Sequence, residues 1–260
     1  AEGKDAKLKC FRELQVECLS ILASALYALH SSLLLHRVEF NVVGRELDAL
    51  EQRARSSPKA SAEESEDQPV LAEFIGTLDH FQEHGPGCTA VALRRAVQVC
   101  SERADLSPQT SVTRDSLASF FRDVFREADK ELLEECRAAV TLLPPDVAGA
   151  GSEEMKRLLD EARDYMESPQ LLEVFRVVTA SAADHIAEQL LEVDAKDVFS
   201  DGSSLPLAKL FGSFIALSKS LLDPEAEQCR SSIRRFADQS VLNQFCEGLF
   251  FQEGTLAAKA

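Results

Sequence analysis

The residues with the clearest chemical capacity are His80, Glu83 and His84, in the order His-x-x-Glu-His. Two histidines one helical turn apart can hold zinc from one face, and a glutamate between them can activate a metal-bound water. Such a site needs a third ligand from elsewhere. Here the triplet stands directly before Gly85-Pro86-Gly87, a strong helix breaker. A solvated helix C-terminus, where the dipole favours histidine, is the competing reading. A zinc-dependent hydrolase would be the function if the triplet were catalytic. No Gly-x-Ser-x-Gly elbow, Walker loop, Gly-x-Gly-x-x-Gly or Glu-x-x-His occurs in the chain. An enzyme is therefore not expected, nor a metal or cofactor.

A second constellation is Lys7-Leu8-Lys9-Cys10-Phe11-Arg12-Glu13-Leu14. Leu8, Phe11 and Leu14 recur every third residue, and Lys7 stands one turn before Phe11. Taken alone, such a stripe is core packing. The alternative is a groove wall that accepts a partner helix, with an aromatic anchor and a cationic rim.

These residues must be positioned by helices. The chain has 260 residues, 45% of them apolar, with 11 Gly, 9 Pro and no Trp. Few turn residues and many helix formers predict long helices. Apolar residues at three- and four-residue steps run from Leu8 to Leu33, and from Val16 to Val43 they surround the whole circumference. The spacing predicts a central helix of about 45 residues, roughly 65 Å long. Gly44 offers a place to bend.

Residues 53–69 read as an acidic surface loop. Helices are then expected over Val70–His84, Cys88–Arg103, Ser111–Leu142, Ser152–Glu167 and from Pro169, capped by Ser168, to about Val193. Further helices are expected from Leu205 to Leu222, from Asp223-Pro224, and from Asp238 to about Phe251. No strand alternation appears. The fold class is thus all-α, a single elongated helical bundle spanning residues 1–260 around a long N-terminal helix.

Charge and cysteine content narrow the partners. With 28 Lys+Arg against 44 Asp+Glu the net charge is −16, which excludes nucleic acid as the main partner. Seven cysteines, an odd number without a Cys-x-x-Cys, read as reduced, buried, small hydrophobes of a cytosol-facing protein. No uninterrupted apolar run of 18 residues occurs, so no membrane span is expected within this chain.

Four separated stretches resemble the cytosolic domain of the peroxin-3 family of peroxisomal biogenesis factors, in the family's order. Lys7-Leu8, Phe11 and Leu14 match a motif with Lys, Trp and Leu at that spacing. Leu34-Leu35-His36-Arg37-Val38-Glu39-Phe40-Asn41-Val42-Val43-Gly44 resembles its L-L-x-R-V-x-L-N-I-I-G run. Leu158–Pro169 resembles L-L-x-E-T-R-D-x-x-E-S-P, and Ser203–Lys209 resembles S-x-x-L-P-L-A-K. The resemblance implies a non-catalytic, monomeric helical bundle on the peroxisomal membrane, facing the cytosol and held by an N-terminal anchor missing from this sequence. It implies a docking receptor for peroxin-19, the chaperone that delivers peroxisomal membrane proteins, whose N-terminal amphipathic helix would lie against Phe11, Leu14, Leu8 and Lys7. It implies no small-molecule substrate; a helical adaptor with an unknown partner, sharing only the bundle architecture, is the alternative. Phe11 replaces the family's Trp and so lacks the indole N–H and some contact area. Arg37 and Asn41 are expected to satisfy buried polar groups.

Overall fold

A single helix, α1 (Glu2–Ser56), runs through the structure, a computed structural model describing residues 2–56, 64–135, 143–144, 152–194 and 204–251. Its 55 residues span roughly 80 Å, longer than the periodicity predicts, and it continues through Gly44. The extra length lies at both ends, residues 2–7 and 53–56. Gln52 donates to Asp48 at 2.8 Å and Arg55 pairs with Glu51 at 2.5 Å. One-turn spacings of this kind support a helix without any apolar face. The predicted loop 53–69 is thus corrected. Residues 53–56 finish α1 and 64–69 begin α2 (Glu64–Ile75), while 57–63 lie outside the described residues.

The next helix, α3 (Leu78–Arg103), passes straight through Gly85-Pro86-Gly87, so the predicted break there is wrong. Gly85 serves close approach: a Cβ there would sit 2.1 Å from the ring of Phe81, which is buried. Thr89 Oγ1 donates to the carbonyls of Gly85 and Pro86 at 3.0 and 3.1 Å. Pro86 forfeits one backbone bond, but α3 packs along α1 and against α4, and tertiary burial outweighs that local loss.

At its far end α3 closes with two tight bonds, Leu106 N–H to the Ser101 carbonyl at 2.8 Å and Asp105 N–H to Glu102 at 3.2 Å. Asp105 takes a left-handed φ of 45°. This is a Schellman turn with aspartate, which tolerates that region, in the usual glycine position.

The helix expected from Ser111 begins later. Ser111–Val112 forms a short strand, β1, paired antiparallel with β2 (Leu205–Pro206). Then α4 (Arg114–Asp129) opens on a capping box between Thr113 and Ser116 and runs into a π-helical turn, Lys130–Glu135. Ser152 and Ser168 cap α5 (Glu153–Met166) and α6 (Pro169–Asp194) as predicted. Leu205-Pro206-Leu207 is strand and then a 3-10 turn, before α7 (Phe211–Leu221). The last helices are α8 (Glu227–Ala237) and α9 (Ser240–Phe251). Asp223-Pro224 forms a turn, not a helix start, and Asp238 ends α8 where it was expected to cap α9.

Around α1 stand α3, α7 and α9, while α4 pairs with α6 and rests on α3. The result is an all-α bundle built around the long N-terminal helix. Leu19, Leu22, Leu26, Leu35 and Val38 are completely enclosed or nearly so. Tyr27 bridges the core, its hydroxyl donating to buried Asp129 at 3.0 Å and its ring edge-on to Phe175 at 5.0 Å. Ala6–Arg53 has the length and composition of a membrane span, but 67% of its most apolar window is buried in the bundle, as in a core helix.

Candidate functional site

The stripe that carries Leu8 and Phe11 continues as Gln15, Cys18 and Leu22, at steps of three and four residues along α1. From Gln15 inward it is covered: Gln15 is 2%, Cys18 4% and Leu22 0% exposed. Gln15 Nε2 donates to the Leu106 carbonyl at 3.1 Å, joining α1 to the Schellman turn that ends α3. Outward of that contact the cover stops. Leu8 is 41%, Phe11 51% and Leu14 46% exposed, and Lys7 is exposed with them. The line of Leu8 and Phe11 is therefore core on one side of Gln15 and bare on the other, with Leu14 on its exposed edge.

All four predicted partner-binding residues lie on this outer part of α1. Lys7, Lys9 and Arg12 give it a run of cations on an acidic protein, and Lys9 lies at ion-pair range of Glu13, 4.0 Å. Ile21, 45% exposed, extends the apolar surface on the flank of Leu14. A polar cleft opens beside it, lined by Arg12, Glu13, Gln15 and Val16 of α1 and by Arg94, Gln98 and Leu106 across from them. Lys7, Leu8, Phe11 and Leu14 are not among its walls. Such a surface can hold an apolar helix face by burial and its acidic flank by charge.

The His-Glu-His triplet has a different setting from the one expected. His80 and His84 lie in the first two turns of α3, not at a helix C-terminus. Their rings stack at 4.5 Å, and His84 Nδ1 donates to the His80 carbonyl at 3.2 Å. Burial, and then the neighbouring His84, lowers the pKa of His80. Among the described residues no group of three His, Cys, Asp or Glu side chains comes together to hold a metal.

One arrangement escaped the sequence because its parts lie far apart. His185 of α6 sits 3.2 Å from Ser231 Oγ of α8 through Nε2, and 3.5 Å from Glu188 through Nδ1. Ser, His and Glu in that order resemble a nucleophile triad. Arg235, however, donates to Glu188 at 2.9 Å and stands 3.3 Å from His185 Nδ1. Nδ1 thus faces both a carboxylate and a guanidinium, and the carboxylate is shared between Arg235 and Arg114. The cluster works as a tie between α6 and α8, joined by Arg114 through Glu188 at 2.6 Å.

The remaining assignments are structural. Arg37 is exposed, and Asn41 donates to the Arg37 carbonyl one turn back at 2.6 Å, so neither satisfies a buried group in the way expected. The six described cysteines, Cys10, Cys18, Cys88, Cys100, Cys229 and Cys246, are free thiols, but Cys10 and Cys88 are exposed on their helices rather than buried as expected. Burial raises the pKa of Cys18, Cys100, Cys229 and Cys246. Cys136 lies outside the described residues.

No protein-family model matches the chain, and no curated protein is found to be similar to it.

Proposed function

We propose that the protein is a non-catalytic docking receptor of the peroxisomal membrane, facing the cytosol. Its ligand is the N-terminal amphipathic helix of the import chaperone peroxin-19, and by holding it the receptor promotes insertion of peroxisomal membrane proteins. The observation that carries this reading is the bare stripe Leu8, Phe11 and Leu14 beyond Gln15, flanked by Lys7, Lys9 and Arg12. An apolar helix face left in water costs hydrophobic free energy unless something covers it. A second amphipathic helix covers it with complementary shape, and acidic residues on its flank meet the cations. The membrane, chaperone and import assignments rest on the four sequence runs that resemble the peroxin-3 family.

The test is calorimetric titration of the chaperone's N-terminal helix, as a synthetic peptide, into the purified protein. One-to-one binding that is lost with Phe11→Ala, in a protein that melts normally, is the expected result. Absence of binding, or binding indifferent to Phe11, Leu8 and Leu14 substitutions, would overturn it.

A further inference from the structure

A second open surface lies where the α5–α6 junction faces α9. It is a groove of about 870 Å³ that contains no residue of α1. Its floor is apolar: Val174 from α6, with Val241, Phe245 and Leu249 from α9. The three α9 residues are spaced i, i+4, i+8 on one line; Leu249 is buried at its inner end, and half-buried Val241 and Phe245 form the ridge open to an occupant. Beside the ridge Gly248 leaves a hole, since a Cβ there would meet nothing within 4 Å. The charged residues that line the groove are Asp164 and Glu173, both acidic and both on the wall opposite α9.

A ridge with a hole beside it is the counterpart of a helix surface, whose side chains seat as knobs in such holes. The two carboxylates fix the polarity of the occupant. A segment with an apolar face toward α9 and Lys or Arg along the flank toward Asp164 and Glu173 matches the groove in shape and in charge. An anionic lipid surface is repelled by the same carboxylates. From this we infer that the groove of α5, α6 and α9 is a docking site for a basic amphipathic helix of a partner protein. It is separate from the α1 stripe, whose cationic rim selects an acidic partner.

The probe is a synthetic leucine–lysine amphipathic peptide, with a leucine–glutamate peptide of the same pattern as control, titrated into the full chain. The lysine peptide should bind one to one. Gly248→Leu fills the hole without meeting other atoms and should weaken that binding about tenfold or more. Its melting temperature should hold or rise, because leucine is the better helix former. Asp164→Lys with Glu173→Lys should reverse the preference toward the glutamate peptide, and Phe11→Ala should leave lysine-peptide binding unchanged. Undiminished binding by folded Gly248→Leu protein would mean only diffuse attraction to a −16 surface and would overturn the proposal. Self-association in sedimentation that Gly248→Leu abolishes would assign the groove to a second copy of this chain and overturn it equally. Loss of the Phe11-dependent interaction alone would leave it standing.

Discussion

The first four turns of α1 and the four turns that follow carry one continuous apolar stripe, polar on its flanks in the first and apolar nearly all round in the second, and they differ in cover. Leu8 and Phe11 stand in register with Cys18 and Leu22, yet the first two are about half exposed and the others enclosed. The difference is not made by the period of the stripe. It is made by α3, which ends in its Schellman turn opposite Gln15 and leaves the helix uncovered from there outward. A hydrophobic period identifies a face, and the lengths of neighbouring helices decide whether that face is core or docking surface.

The largest effect that can break this comparison is on stability. Leu22→Ala should cost about 3–5 kcal/mol, because it removes a fully enclosed side chain and leaves a cavity. Leu8→Ala, on the same stripe, should cost less than about 0.5 kcal/mol. Urea unfolding of both variants measures the contrast. Similar losses would mean that the end of α1 is covered in solution.

The covered part of α1 also carries two buried groups, Glu39 and His30, that titrate between about pH 4 and 8. Glu39 accepts from Thr77 Oγ1 at 2.9 Å, its other oxygen has no partner, and burial pushes its pKa up to about 8. His30 donates from Nδ1 to the Leu26 carbonyl at 2.8 Å, and burial brings its pKa down to about 4. Folded Glu39 keeps a proton that the unfolded chain releases near 4.5, so stability is lost as pH rises from there to about 8. Folded His30 refuses a proton that the unfolded chain takes up near 6.5, so stability is lost as pH falls from there to about 4. Between pH 4.5 and 6.5 the two slopes oppose and largely cancel. From 6.5 to 8 Glu39 acts alone, and stability should drop by about 2 kcal/mol. Glu39→Gln should flatten that drop. Thermal melts across this range decide it, and a drop unchanged in the variant would assign it to another group.

Much of the fold was legible because helix signals are local. Period, Ser152 and Ser168 caps and the all-α class come from residues within one or two turns of each other. The failures share a cause. Gly85-Pro86-Gly87 stays helical because Phe81, Thr89 and packing along α1 support it. The Leu205-Pro206 strand exists because Ser111 and Val112 pair with it from far along the chain. Polar residues 51–55 remain helical through one-turn ion pairs, which a reading based on apolar content passes over. For the site, sequence supplied the stripe, but only the position of Leu106 says where it becomes bare. The acid-rimmed groove was not legible at all, since Asp164, Glu173 and Phe245 meet only through the packing of three helices.

A smaller effect is expected at the boundary itself. Gln15→Ala removes the bond to the Leu106 carbonyl and should cost about 1–2 kcal/mol, the usual cost of a lost buried partner. Hydrogen exchange should then show faster exchange near Leu106 as well as in α1. Exchange confined to the first turns of α1 would mean that this bond does not pin the end of α3.

A small effect on stability, and the most telling contrast with binding, belongs to Phe11. A side chain 51% exposed has little left to lose, so Phe11→Ala should lower stability by less than about 1 kcal/mol. A fully enclosed phenylalanine such as Phe121 would lose about 3–5 kcal/mol. Binding of the chaperone helix should respond in the reverse sense, weakening by about 2 kcal/mol, roughly thirtyfold, as for a buried aromatic hot spot. Lys7→Glu should weaken it too, mainly through a slower association rate and an altered salt dependence, as expected of an exposed rim charge. Restoring a larger ring with Phe11→Trp should tighten binding by its added contact area and indole N–H. A core residue gives the opposite pattern, an unfolded helix end for Phe11→Ala and no response to Lys7→Glu. Titration calorimetry and melts on these three variants separate the two patterns, because a docking face has its energy in the complex and a core face has it in the fold.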